Sequence, residues 1–362
     1  MEKLAEHHGD KVEIKFDYNP LGIDEKNMPH ILPGFDHENI QWADVVMVNN
    51  ISNFGGNYTA RIVGIAKQHN KFVHFDTDDL LTELYEEHRL IEAYRDKGLS
   101  EMTKFIYYNS DLVTVTQVKF AERIKQYCNG ILAVIKNAID YNLPCWNADR
   151  HNTKQIRIGW AGGIHHDPDV KEFASVPHIV NQMVGREKIW WDFYGHPPMN
   201  SPKDWQWDVW KGYKATLLQG FKGPGNWSIH YALPPANYGV MYANMDIAIA
   251  PLQMNEFNDS KSDIKIAEAG RYKVPLIASD VGCYNETIEN GKTGYLLPVG
   301  ASKMKWAQTL AKVIKNTKHR KQMGNNLHAI TEELFDINKV IGKRMEIYKT
   351  AFEKLGDPRD ND

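Results

Sequence analysis

The chain has 362 residues, long for one domain and comfortable for two. Acids and bases nearly balance, and the formal net charge of -3 speaks against a protein whose main work is coating nucleic acid. The three cysteines, Cys128, Cys145 and Cys283, show no Cys-x-x-Cys spacing, so they read as reduced thiols, not as a disulfide framework or zinc site.

The first residues, "MEKLAEHHGD", are polar and carry no secretory signal. No apolar run approaches the roughly 18 residues needed to cross a bilayer. The expectation is a cytoplasmic protein, with peripheral contact at the inner membrane face left open.

A first domain is expected over 1–140. Its strands are "DVVMVNN" (Asp44 to Asn50), "KFVHFD" (Lys71 to Asp76), "DLVTVT" (Asp111 to Thr116) and "ILAVIKN" (Ile131 to Asn137). Helical patterns such as "YTARIVGIAKQHN" and "KFAERIKQYC" lie between them. Such alternation predicts a parallel sheet covered on both faces. The run "IDYNLPCWNADRHNTK" breaks the rhythm with Asn, Pro and charge, and predicts a linker over 141–155.

A second domain follows over 156–335. Its strands are Ile156 to Gly163, Ile189 to Gly195, Trp227 to Ala232, Met245 to Leu252, Val274 to Ser279 and Gly294 to Val299. In "KWAQTLAKVIKN", Trp306, Leu310, Val313 and Ile314 share one helical face. A last helix over 336–362 is expected to cross back to the first domain.

Several features admit two readings. In "HFDTDDL", Asp78 or Asp79 reads as a helix N-cap, or Asp78 contacts or deprotonates an acceptor hydroxyl. Asp76 and Asp78 form an Asp-x-Asp, but its place after an early strand argues against a metal-nucleotide role. His165, His166 and Asp167 lack a third ligand at metal spacing, which favours ligand contact or plain loop polarity. Trp190, Trp191, Trp205, Trp207, Trp210 and Trp227 read as packing ahead of stacking on sugars or bases. Ala301 to Thr331 holds seven Lys or Arg and no acid. That run reads as a solvated face, or as a surface for an anionic membrane or polynucleotide.

The most informative stretch is "NDSKSDIKIAEAGRYKVPLIAS", Asn258 to Ser279. Ser262 is a fit N-cap for a helix beginning at Asp263 and ending near Gly270. Lys261, Lys265 and Glu268 then share one side of it. The helix start offers backbone N–H groups and a positive dipole end, with ammonium groups alongside: a site for a diphosphate. Glu268, two turns in, could accept hydrogen bonds from a ribose diol. The plainer alternative is a solvated face with a Lys–Glu pair.

"APLQMNEFNDSKSDIKIAEAGRYKVPLIASDVGCYNETIENGKTGYL" resembles the donor segment of retaining glycosyltransferases of the GT-B fold, the group 1 or family 4-like transferases of bacteria and phages. Their signature is a Glu, seven residues, then Glu-Ala. Glu268-Ala269, Val274-Pro275, Gly291 and Gly294 match it. Ser260 stands where the first Glu is expected, and Phe257, Asn258, Lys261, Ser262, Lys265 and Glu268 fit a branch with "FN..KS..K..E". "RIGWAGGIHHDPDV" is similar to the first strand and loop of the family's nucleotide domain. The resemblance runs from about Val45 to the C-terminus, most strongly over Ile156 to Pro298. The family opens with a strand and a glycine-rich loop, whereas this chain starts with what resembles the following helix and second strand. Either that first strand is missing from this sequence or this branch dispenses with it.

The resemblance implies an α/β, GT-B fold, two Rossmann-like doubly wound domains facing a cleft. It implies sugar transfer from a UDP- or GDP-sugar to a glycan, lipid-linked or other hydroxyl acceptor, with retention and no metal. Gly162, Gly163, His166, Asn258, Ser260, Ser262, Asp263, Lys265 and Glu268 would bind the donor. Lys261, Lys265 and Asp78 would serve catalysis. The alternatives are a DNA-modifying transferase acting on an extruded base and a non-catalytic nucleotide-sugar-binding protein.

Overall fold

The computed structural model describes residues 2–17, 37–49, 56–198, 204–221 and 225–358. The chain forms two compact units. Met1–Asn137, Ser260–Ser262 and Ile337–Asp362 make the first, and Ala138–Asp259 with Asp263–Asp336 the second.

The first unit opens with helices α1 (Glu2–His8) and α2 (Glu38–Trp42). Then come β1 (Val45–Asn49), α3 (Gly56–Gln68), β2 (Phe72–Thr77), α4 (Leu99–Asn109), β3 (Leu112–Val115), α5 (Val118–Ile124) and β4 (Ile131–Val134). The strands form one parallel sheet in the order β1-β2-β3-β4. All four expected runs are therefore strands, although Asn50 itself lies outside the described residues. Val73, Phe75, Val113 and Val115 point to one face, against Ile62, Val63 and Ala66 of α3. That is the period-two consequence of the strand pleat. Residues 12–17 follow α1 but join no sheet, contrary to the second strand suggested for this stretch. Val12 and Ile14 still pack on the sheet's other face.

Beyond β2 the structure corrects one expectation. Asp78 and Asp79 cap no helix, because turns follow and the next helical segment is a π-helical turn at Glu92–Asp96. Asp79 is partly buried. Burial and the neighbouring Asp78 push its carboxyl up to about 6, with Lys261 pulling the other way.

The second unit runs β5 (Ile156–Ala161), α6 (Asp167–Glu172), α7 (Val176–Val184), β6 (Ile189–His196), α8 (Asp204–Leu217) and β7 (Trp227–Tyr231). It continues with α9 (Val240–Ala243), β8 (Ile247–Ala250), α10 (Glu256–Asp259), α11 (Ile264–Arg271), β9 (Leu276–Ser279), β10 (Gly294–Leu297), α12 (Lys303–Lys315) and α13 (Thr317–Leu334). The six strands are parallel, in the order β10-β9-β8-β5-β6-β7. β5 lies at the centre, and the chain steps outward from it to one side and then, from β8, to the other. Tyr141 and Trp146 are buried in this unit's core.

The two faces of this sheet differ. Ile158, Trp160, Trp191, Phe193, Ile247 and Ile249 fill one, with Trp306 and Leu310 of α12. Ala161, Ala248, Ala250 and Ala278 line the other, with Ile266, Ala267 and Ala269 of α11. Short side chains on that face leave room for α11 to lie close to the strands. Trp191 and Trp210 are fully buried, so the packing reading of the tryptophan cluster holds for these two, while Trp205 is 44% exposed. Arg320 belongs to no solvated face, since it is buried and donates to the carbonyls of Val313 and Ile314 at the end of α12.

The last helix, α14 (Ile337–Leu355), belongs to the first unit. Its Ile341, Tyr348 and Ala351 pack with Phe72 and Leu112. Buried His74 on β2 bonds to Tyr348 Oη at 2.6 Å and to Thr114 Oγ1 at 2.7 Å. Burial holds its imidazole down to about 3. Among the described residues no helix is long and apolar enough to cross a membrane.

Candidate active site

The second unit holds seven of the nine expected donor-site residues, on the stretches that follow β5 and β8. β5 ends at Ala161, and Gly162-Gly163 turn the chain toward α6. Gly162 N–H donates to the Tyr194 carbonyl at 3.1 Å. A Cβ on Gly162 would fall 2.3 Å from the Trp160 ring, so this position is closed by packing. A Cβ on Gly163 would meet nothing within 4 Å, so the space on that side is open. The neighbouring β6 carries an irregularity at Gly195, whose φ of +122 suits glycine.

α11 begins one residue later than expected. Asp263 occupies the N-cap position and Ile264 is the first helical residue. Ser262 belongs to the first unit, where its Oγ accepts a hydrogen bond from Asn137 Nδ2 at 3.1 Å. Lys261 and Ser260 also belong to that unit, so Lys261 does not share a helical side with Lys265 and Glu268. Ser260 is fully buried, and its Oγ finds no hydrogen bond among the described residues. Asp78 lies in the first unit as well, with its carbonyl accepting from Thr116 Oγ1 at 3.5 Å.

Lys265 and Glu268 are not a solvated pair. Lys265 Nζ donates to the Ala161 carbonyl at 2.5 Å, which anchors an ammonium at the end of β5. Glu268 is only 6% exposed. Its Oε2 accepts from Tyr242 Oη at 2.5 Å. Burial raises the Glu268 carboxyl, while Lys265 and the hydroxyls of Tyr242 and Tyr238 pull it back down. Tyr238, Tyr242 and Tyr284 are all held above the ordinary phenol range, first by burial and then by nearby ionisable groups, Glu268 among them. They therefore stay protonated and present hydroxyl donors, two of which serve Glu268.

A second polar network was not expected beyond His166 and Asn258. Asp169 on α6 is buried, and its Oδ2 bonds to His166 Nδ1 at 2.7 Å. Its Oδ1 accepts from Gln253 N–H at 2.7 Å and from Asn258 Nδ2 at 3.0 Å. Asn258 also donates to the Gln253 carbonyl at 2.8 Å, and His166 N–H donates to Tyr213 Oη at 2.9 Å. Asp169, Tyr238 and Tyr242 are the residues that sequence reasoning missed. Asp169 carried one usable signal, since it stands three residues after His166 at a helix start. Among the described residues no group of three or more His, Cys, Asp or Glu could hold a metal ion.

Residues 225–329 match the family described as glycosyl transferases group 1. This span contains Lys265, Glu268, Tyr238 and Tyr242. No curated protein matches the chain. Among solved structures, sucrose-phosphate synthase from Thermosynechococcus elongatus is similar at a TM-score of 0.64 and 14% identity, over 86% of this chain and 74% of that one. HepE from Anabaena, in complex with UDP-glucose, is similar at a TM-score of 0.60 and 14% identity, over 86% and 80%. A point mutant of S. aureus TarM, in complex with fondaparinux, alpha-GlcNAc-glycerol and UDP, gives 0.58 and 14%, over 84% of this chain and 56% of that one. At these identities the likeness is one of fold: two Rossmann-like parallel-sheet units of the GT-B class.

Proposed function

We propose that this chain, which has the GT-B fold and matches the glycosyl transferases group 1 over residues 225–329, is a glycosyltransferase that moves a sugar from a nucleoside diphosphate sugar to a hydroxyl acceptor. One observation carries the reading. α11 holds a lysine ammonium at the end of β5 and, one turn later, a buried carboxylate supplied with tyrosine hydroxyls. Lys265 and the first amides of α11 suit the diphosphate, whose charge grows as it leaves. Glu268 suits the ribose diol, with Tyr242 keeping its carboxylate oriented. Gly163 leaves open space at the loop where the donor would approach.

These groups place positive charge where negative charge develops, so the reaction as proposed requires no metal. Retention at the anomeric carbon rests on the resemblance of "FNDSKSDIKIAEAG" to retaining enzymes. The complexes of HepE with UDP-glucose and of TarM with UDP favour a uridine donor. The glycan ligands in the TarM complex favour a glycan or glycolipid acceptor. In the first unit, Lys261 and the Asp78-Asp79 pair are the groups we assign to the acceptor side, where a carboxylate could take a hydroxyl proton.

A thermal-shift panel of UDP- and GDP-sugars tests the donor, because a ligand that binds the folded state raises its stability. Release of nucleoside diphosphate in the presence of glycan acceptors then tests transfer. Binding with no release from any acceptor would reduce the chain to a nucleotide-sugar-binding protein. No binding at all would remove the donor site.

A further inference from the structure

Ala301 to Thr331 holds seven Lys or Arg and no acid, in a chain whose net charge is -3. The fold divides that run. Arg320 is buried on the carbonyls that end α12. Lys303, Lys305, Lys312, Lys315, Lys318 and Lys321 are all exposed. None of the six meets a carboxylate among the described residues, and Lys312 Nζ lies 5.0 Å from the Tyr295 ring. Helical lysines elsewhere take an acid three residues away: Lys3 with Glu6, Lys104 with Glu101, and Lys211 with Asp208. Like charges one turn apart, as at Lys312 and Lys315, weaken a helix, so the fold itself gains nothing from them.

α12 holds these charges on a fixed support. Ser302 Oγ caps it, accepting from Lys305 N–H at 3.2 Å, and Trp306, Leu310, Val313 and Ile314 bury its inner side. At about 100° per residue, Met304, Lys305, Gln308, Lys312 and Lys315 fall within one arc of about 100°. All five are exposed. Lys305 and Lys315 stand about 15 Å apart along the axis. Met304 is 46% exposed and Val299 50%, so two apolar side chains meet water at the start of the stripe. β10 runs parallel to β9, β8 and β5, so α12 begins at the sheet edge where those strands end.

The side-chain types select the partner. A polynucleotide is gripped by arginine forks and by aromatic rings that stack on bases. Here the only arginine of the run, Arg320, and its only aromatic ring, Trp306, are both buried. Lysines are mobile point charges that suit a diffuse layer of lipid phosphates, and their stems lie along apolar surface while the ammonium stays in water. An apolar pair beside them suits the boundary between headgroups and acyl chains.

We propose that the outer face of α12, together with Val299, seats the chain on an anionic bilayer surface. The lysines meet headgroup phosphates, and Val299 and Met304 enter the interface below them. The contact is peripheral. It stands apart from the donor-site reading, because none of these residues belongs to that site.

The test is flotation of the full chain with vesicles of phosphatidylcholine, either alone or with phosphatidylglycerol added. The wild type should float with the anionic vesicles and not with the neutral ones, and raised salt should release it. The triple variant Lys305→Gln, Lys312→Gln, Lys315→Gln should lose about 100-fold in vesicle affinity, at about fivefold per lysine. Its thermal midpoint should hold, since all three side chains are exposed. Val299→Ser with Met304→Ser should lose about tenfold on the same vesicles with every charge retained.

Duplex DNA bound more tightly than the anionic vesicles, and released by the triple variant, would give the face to a polynucleotide and overturn the proposal. Equal flotation with neutral vesicles, no flotation of the wild type, or full affinity in either variant would overturn it as well.

Discussion

Tyr242 gives its hydroxyl hydrogen to Glu268 Oε2 across 2.5 Å, and both residues are buried. The bond ties α11 to α9, two elements of the segment that matches the transferase family. A buried carboxylate needs such donors, since burial alone favours its neutral form.

Tyr242→Phe should therefore act on Glu268 and not only on packing. Losing a hydrogen bond to a buried carboxyl costs about 1–3 kcal/mol, so the unfolding midpoint should fall. Nucleotide-sugar affinity should fall with it, and Glu268→Ala should cost more than about tenfold in affinity. Urea unfolding and calorimetry, run on the same preparations, read the two effects separately. Full affinity in Glu268→Ala would mean that the ribose lies elsewhere.

Lys265 joins the end of β5 to α11 through the Ala161 carbonyl. Lys265→Met keeps the stem and removes the charge. If the ammonium meets the leaving diphosphate, turnover should fall by about 100- to 1,000-fold, as for loss of one preorganised electrostatic contact. Substrate affinity should fall less. Steady-state release of nucleoside diphosphate gives both numbers, and an unchanged turnover would free Lys265 of any chemical role.

Asp79 makes a prediction about pH. Its folded value of about 6 lies above the ordinary 3.8. The fold thus prefers the protonated acid, and the stability from this preference is full below about pH 4 and is lost as pH rises through 6. Asp79→Asn removes the charge at every pH. It should be about 1–2 kcal/mol more stable than the wild type at pH 7.5, with the gap closing near pH 4. Denaturant titrations at the two pH values check it. A gap that persists at pH 4 would mean that the carboxylate is not the cause.

Gly195 tests the backbone beneath the site. Its φ is +122, and a Cβ there would stand 1.9 Å from the Gly162 carbonyl. Gly195→Ala should cost about 3 kcal/mol or more, from strain and from displacing the loop after β5. It should weaken nucleotide-sugar binding with no ligand atom touched. Gly163→Ala meets open space and should leave stability within about 0.5 kcal/mol. Thermal melts of the two variants side by side decide the matter.

The sequence by itself determined the strands. Each apolar run assigned to the two sheets became a strand, from "DLVTVT" as β3 to "VPLIAS" as β9, because burial on both faces of a parallel sheet demands short continuous apolar segments, whereas the alternating stretch after α1 joined no sheet. It also marked Lys265 and Glu268, whose helix start and spacing are local properties. Local spacing misled at Lys261 and Ser262, which lie in the other unit, and at Asp78 and Asp79, which begin no helix. Tertiary structure alone decided which polar groups meet. The sheet order sets β8 beside β5 and brings Asn258 to Asp169, far apart in the chain and 3.0 Å apart in the fold. It likewise turned an exposed-looking Glu268 into a buried group on two tyrosines. A hydrogen bond within a helix or loop leaves its mark in residue spacing. One across the switch point of a sheet leaves none, because its partners are chosen by strand order.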